Sequence, residues 1–134
     1  MSRLFYRWLL GVLVVLWASG VVWMVLHYFY PTHSEFGTAP NAGEPWLLRI
    51  HGVVAVAAVF LLGGVAVSHV VMGWRQSGNR RSGLTLGIIG IALIVTGYAL
   101  YYLTADSVRE SVAIAHEALG VAAIASALIH WRRG

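Results

Sequence analysis

Four histidines lie near the ends of two long apolar runs of the chain. His51 and His69 are 18 positions apart, which is five full turns of an α-helix, so a helix projects both from one face, about 27 Å apart. His116 and His130 are 14 positions apart, and a helix places them about 40° from a common direction and about 21 Å apart. A histidine in hydrocarbon is costly unless its ring nitrogens are satisfied, so this spacing points to ligation of a metal or cofactor.

The composition is that of a membrane protein. Of the 134 residues, 59% are hydrophobic and 10% are charged, whereas soluble domains carry about 25% charged residues. Four apolar runs reach the roughly 20 residues that a helix needs to cross a bilayer. The predicted spans are 8–30, 46–74, 83–103 and 107–131. The sequence therefore predicts an all-α fold, a single transmembrane domain over residues 1–134 built as an antiparallel four-helix bundle. Residues 31–45 are predicted to form a loop.

The charged residues give the predicted bundle a direction. All nine basic residues are arginines, and most flank apolar runs instead of covering a soluble face, which argues against nucleic acid as a partner. Only Arg49 and Arg109 fall on the side that holds the acidic residues. The other seven fall on the opposite side: Arg3, Arg7, Arg75, Arg80, Arg81, Arg132 and Arg133. The positive-inside rule then predicts that both termini are cytoplasmic.

The depths of the four histidines match in pairs. Counted from the external helix ends, His51 lies about 9 Å deep and His116 about 14 Å deep. On the same count, His69 lies about 36 Å deep and His130 about 35 Å deep. Spacing and topology therefore predict two stacked bis-histidine pairs, His51 with His116 and His69 with His130. Two non-covalent haem b groups would satisfy one nitrogen of each ring, and the absence of cysteine excludes covalent haem and thiolate-held clusters.

Further polar side chains near these pairs are candidates for supporting roles. Ser68 and Ser126 are near enough in sequence to bond the second ring nitrogens. Arg49 and Arg109 are candidates for pairing with haem propionates or for snorkelling to lipid headgroups. Glu117, beside His116, lies about 15 Å below its helix start and is a candidate for proton exchange with a quinol or for pairing with one of these arginines.

With these histidines, the inner loop "WRQSGNRRSG" and the segment "TGYALYYL", the chain resembles the small bacterial di-haem b-type membrane cytochromes. The resemblance implies a four-helix subunit of the bacterial inner membrane that relays electrons between the quinone pool and a redox partner, such as a c-type cytochrome or a dehydrogenase. Several relatives take a haem ligand from the first helix. Here that helix offers His27, which competes with His51 or His116 as an outer ligand.

Four functions stay open on the sequence alone. The favoured one is an electron-transfer subunit rather than a stand-alone enzyme, because both axial positions of each iron are filled. The second is a stand-alone oxidoreductase acting on quinone or superoxide at the outer face. The third is a histidine-lined metal transporter without haem, and the fourth is an assembly or anchor protein.

Overall fold

The computed structural model of the chain describes residues 2–35, 37–70 and 80–133, and these residues form mainly helix. The elements in chain order are α1 (Arg3–Phe29), β1 (Thr32–Ser34), β2 (Gly37–Ala39), α2 (Glu44–Val65), a π-helical segment (Ala66–Val70), α3 (Arg80–Tyr102) and α4 (Asp106–Arg133). They fall into two compact units, a first unit of Met1–Ser68 and a second unit of His69–Gly134.

The four helices are long and apolar enough to cross a membrane, which confirms the prediction of four long apolar helices. The helices extend past the predicted apolar runs at several ends. At the start of α1, for example, the side chain of Ser2 accepts a hydrogen bond from the backbone N–H of Phe5 and caps the helix several residues before the apolar run. Residues 71–79, which include the end of the predicted second span and Arg75, lie outside the described residues.

In the first unit, α1 and α2 pack side by side and run antiparallel. Gly64 lies against the ring of Phe5 near one end of the pair, and Gly20 lies against the ring of His51 further along. Glycine at these contacts lets the two backbones approach closely, as is usual between transmembrane helices.

The predicted α-helix of the second span changes form before its inner histidine. Ala66–Val70 is a π-helix, so His69 does not continue the α-helical spacing that begins at His51. Two features weaken the regular α-helical hydrogen bonding at this point. Gly63 and Gly64 have low helix propensity, and the Ser68 hydroxyl donates to the Gly64 carbonyl at 2.7 Å.

The link between α1 and α2 contains a small β-hairpin that the sequence prediction of a loop missed. Thr32 pairs with Ala39, and Ser34 pairs with Gly37, in antiparallel register. Gly37 has a φ of 110°, a conformation that glycine adopts without steric penalty.

In the second unit, α3 and α4 form another antiparallel pair. The Ser82 side chain contacts His130 at one end, and the Thr96 side chain contacts His116 toward the other. Both units therefore consist of two antiparallel helices in direct contact, as the short links predict.

Burial within the two units is the reverse of that in a soluble protein. Among the described residues, the only buried hydrophobic side chain is Ala58. Many large apolar side chains are exposed, and Phe60 is 82% exposed. The buried polar residues are Ser19, Glu44, Ser82 and Ser126. This pattern is compatible with apolar helix faces that contact membrane lipid.

Candidate functional site

The first site histidine, His51, is held by a hydroxyl of the neighbouring helix. Its Nδ1 lies 3.0 Å from the Oγ of Ser19, a buried residue of α1. The same hydroxyl donates its proton to the carbonyl of Leu16 at 2.9 Å. With the serine proton on that carbonyl, the Ser19 oxygen accepts a hydrogen bond from the Nδ1–H of the imidazole.

His116 repeats this arrangement in the second unit. Its Nδ1 lies 2.8 Å from the Oγ1 of Thr96 on α3. The Thr96 hydroxyl also bonds carbonyls of its own helix, at 2.8 Å from that of Ala92 and 3.2 Å from that of Leu93. With the threonine proton on its own helix, the Thr96 oxygen accepts from the Nδ1–H of His116.

Hydroxyl oxygens that accept at Nδ1 favour one ring tautomer at both histidines. A neutral imidazole that carries its proton on Nδ1 has its lone pair on Nε2. Nε2 is then the atom able to bind a metal, and the hydroxyl at Nδ1 holds the ring in one orientation. His51 and His116 therefore share the same kind of contact, a hydroxyl of the facing helix at Nδ1.

The inner histidines meet within the second unit. The ring centres of His69 and His130 are 6.2 Å apart, and the ring planes are perpendicular, at 90°. Ser82 of α3, which is buried, places its Oγ 3.0 Å from the Nδ1 of His130. The structure therefore brings together the two residues of the predicted inner pair.

The two residues of the predicted outer pair belong to different units. His51 belongs to the first unit and His116 to the second, and each contacts a hydroxyl within its own unit. Their pairing across a haem stays a prediction from helix spacing and topology.

His27, the alternative outer ligand, has a different environment. It lies near the end of α1 and donates from Nδ1 to the Oε2 of Glu44 at 2.9 Å. Its ring stacks on that of Trp23, with ring centres 4.7 Å apart. The other carboxylate oxygen of Glu44 accepts the backbone N–H of Asn41 at 2.8 Å. His27 is thus part of a network that ties the end of α1 to the start of α2.

A cavity of about 270 Å³ adjoins this network. It is lined by His27, Pro31, Ala39, Pro40 and Glu44. The cavity is partly open, and its walls combine apolar side chains with one imidazole and one buried carboxylate.

The predicted charged candidates lie at helix positions of differing exposure. Arg49 is exposed and places its guanidinium 4.8 Å from the centre of the Trp46 ring, a cation–π contact. Arg109 is exposed in the first turn of α4. Glu117 is half-buried and directly follows His116. Their assignment to propionates or a quinol is not tested by these positions.

The hydroxyls that contact the histidines are not those expected from the sequence. Ser68 bonds the Gly64 carbonyl of its own helix, and although Ser126 is buried, the hydroxyl on the His130 ring is that of Ser82. The partners come instead from the facing helix in each pair. Nearness in sequence does not predict these partners, because it identifies neighbours on the same helix and not on a facing helix.

A bis-histidine haem site needs fewer protein ligands than a bare metal ion does. In residues 2–35, 37–70 and 80–133, no group of three or more His, Cys, Asp or Glu side chains could hold a metal ion. A haem iron asks less of the protein, because the porphyrin fills four positions and two axial imidazoles complete the set.

Comparisons with known proteins leave the site to be interpreted on its own chemistry. The chain matches no protein-family model, no curated protein and no solved structure.

Proposed function

We propose that this chain is a transmembrane b-type cytochrome that carries two bis-histidine haems and passes electrons between quinone or quinol and a redox partner subunit. The axial ligands in this proposal are His69 with His130 and His51 with His116. The proposal includes the antiparallel four-helix bundle in which the two helix pairs associate.

The separation of the inner rings is the observation that carries the proposal. Metal–nitrogen bonds to histidine are about 2 Å long and each ring centre lies about 1 Å further, so an ion ligated from both sides separates the ring centres by about 6 Å. The centres of the His69 and His130 rings are 6.2 Å apart. Their perpendicular planes are compatible with ligation, because each ring can turn about its own metal–nitrogen bond.

The hydroxyl contacts support the same function at the other histidines. When bound, haem supplies a one-electron carrier, and the chain supplies the axial ligands and the surroundings that set its potential. Ser19 and Thr96 contact the Nδ1 of His51 and His116, and an acceptor at Nδ1 is a common support for an imidazole that binds a metal through Nε2. Filled axial positions favour electron transfer over substrate binding at iron.

Charge supports an orientation for the proposed bundle. With both termini in the cytoplasm of a bacterial inner membrane, most arginines lie inside, and Arg49, Arg109 and Glu117 lie toward the outer face. There we propose that the two arginines neutralise haem propionates and that Glu117 exchanges protons with quinol.

Single cysteines test this orientation cleanly, because the chain has no native cysteine. We expect Glu35→Cys to react with an impermeant maleimide in intact cells, and Arg132→Cys to react only after lysis. The opposite labelling pattern would contradict the proposed orientation.

The haem proposal is tested by replacing one inner ligand at a time. His69→Ala and His130→Ala should each lower the haem content of the purified chain from about two per chain to about one, because each removes one axial ligand of the same iron. The measurement is the pyridine haemochrome assay on detergent-purified protein. His33→Ala, at an exposed position of β1, is the matched control and should keep both haems.

Two results would contradict the proposal. If His69→Ala and His130→Ala kept the wild-type haem content, the inner assignment would be wrong. If the wild-type chain from haem-replete cells were colourless, the cytochrome would be excluded, and the histidine-lined metal transporter would gain support.

The cavity beside His27 and Glu44 favours one second candidate, a stand-alone oxidoreductase acting on quinone or superoxide. An enzyme needs a substrate pocket in addition to its haems. Steady-state turnover by the purified single chain without a partner would favour this candidate. If the quinol reduces the haem once and no further turnover follows, the electron carrier is favoured.

A further inference from the structure

One local arrangement recurs at three of the four proposed ligands. In each case a hydroxyl residue followed by glycine, on the facing helix of the same unit, contacts one imidazole. These hydroxyl–glycine dipeptides are Ser19-Gly20 against His51, Ser82-Gly83 against His130 and Thr96-Gly97 against His116.

The hydroxyl of each dipeptide contacts the same ring atom. The three distances from hydroxyl oxygen to Nδ1 are 3.0, 3.0 and 2.8 Å. At Ser19 and Thr96 the hydroxyl also lies within hydrogen-bond distance of a carbonyl of its own helix, and a proton donated to that carbonyl leaves the oxygen to accept from the ring. The oxygen therefore accepts Nδ1–H and selects one tautomer.

The glycine of each dipeptide lies against the adjacent ring carbon. A methyl group added at Gly97 would lie 3.1 Å from the Cε1 of His116. The corresponding distances are 3.2 Å from Gly20 to His51 and 3.3 Å from Gly83 to His130. These separations are tighter than ordinary van der Waals contact, so any larger residue would push the ring by a few tenths of an ångström.

We propose that the three hydroxyl–glycine dipeptides are positioning elements for haem ligands, in which the hydroxyl holds Nδ1–H and the glycine admits the ring edge, so that Nε2 is presented to iron. This role rests on the proposed function. The facing helices α1 and α3 then supply no iron ligand, but they set the orientation of three ligands carried by α2 and α4.

The hydroxyl contact has a consequence for the redox potential. An acceptor at Nδ1–H raises the basicity of a ligating imidazole, and a more basic ligand stabilises the ferric form. Removing the acceptor should therefore raise the midpoint potential of one haem and leave the other unchanged.

The first test removes the hydroxyl and keeps the shape. We expect Thr96→Val to raise the midpoint potential of one haem and shift its low-spin EPR signal, with about two haems still bound. Thr96→Ser should restore both values, because it returns the acceptor. Unchanged potentials and EPR signals in a fully loaded Thr96→Val chain would overturn the proposal.

The second test adds a methyl group at the glycine. We expect Gly97→Ala to lower the occupancy of one haem or to change its EPR signal. Gly90→Ala on the same helix is the matched control, because no described atom lies within 4 Å of its added Cβ. Gly20→Ala and Gly11→Ala give the same comparison on α1. If Gly97→Ala changed haem occupancy and the EPR signal no more than Gly90→Ala does, and Gly20→Ala no more than Gly11→Ala, the positioning role of the glycines would be overturned.

A third readout does not depend on bound haem. In the haem-free chain, ¹⁵N NMR of the imidazole rings should show His116 protonated on Nδ1 in the wild type and a mixture of tautomers in Thr96→Val. An unchanged tautomer would overturn the positioning role. A wild-type chain that never binds haem would overturn the proposed function, whereas a loaded chain that ignores the Thr96 and Gly97 substitutions overturns only this inference.

Discussion

His27 and His51 belong to the same helix pair, yet their surroundings differ in kind. His27 is on α1 near its end, its side chain is 41% exposed, and its Nδ1 bonds the Glu44 carboxylate. His51 is on α2, is half-buried, and its Nδ1 bonds the Ser19 hydroxyl.

The difference in hydrogen-bond partner is the basis on which we choose between the two histidines as a proposed ligand. A carboxylate is costly inside hydrocarbon and is tolerated near an aqueous end, where it also accepts the Asn41 backbone N–H. A hydroxyl is neutral and satisfies Nδ1–H at low cost in the span. We therefore interpret His27 as part of the link between α1 and α2, and we propose His51 as the outer haem ligand of this unit.

The largest effect should distinguish the two histidines directly. His51→Ala should reduce haem from about two to about one per chain, because it removes an axial ligand. His27→Ala should keep both haems. The haem-to-protein ratio of the two purified variants is the measurement, and the reverse result would make His27 the outer ligand.

The Glu44 network should matter for stability and not for haem. Glu44→Ala leaves the His27 ring and the Asn41 N–H without their acceptor and should lower the free energy of unfolding by about 1–3 kcal/mol. Glu44→Gln keeps an oxygen and should cost less. Unfolding in mixed detergent measures the difference, with exposed Glu35→Gln as the control. If Glu44→Ala lost haem without losing stability, the purely structural role of the His27–Glu44 network would be contradicted.

The smallest effect concerns the hairpin that precedes this network. Gly37→Ala places a side chain at a φ of 110° and should cost about 1 kcal/mol, although no described atom lies within 4 Å of the added Cβ. Gly63→Ala, at a helical glycine with equal space, should not destabilise. Thermal unfolding of both variants provides the comparison, and equal melting temperatures would contradict the assigned backbone strain.

The sequence predicts the helices well because apolar length alone decides whether a segment can cross a membrane. It does not predict the local exceptions. The π-helix at Ala66–Val70 depends on how Ser68 competes for one carbonyl, and the hairpin at Thr32–Ala39 depends on the backbone conformation of Gly37.

The candidate site is likewise predicted only in part from the sequence. Spacing along α4 and along the second span identifies His116, His130, His51 and His69, because a histidine in hydrocarbon is rare enough to stand out. The partners Ser19, Ser82 and Thr96 depend on the register between two helices, which one-dimensional spacing does not contain. A recurring hydroxyl followed by glycine is the signal by which they can be found.

The haem content of the wild-type chain tests the central claim most directly. We predict that protein purified from haem-replete cells shows reduced-minus-oxidised bands of b-type haem and about two haems per chain by the pyridine haemochrome assay. A colourless preparation of the folded chain would contradict the account.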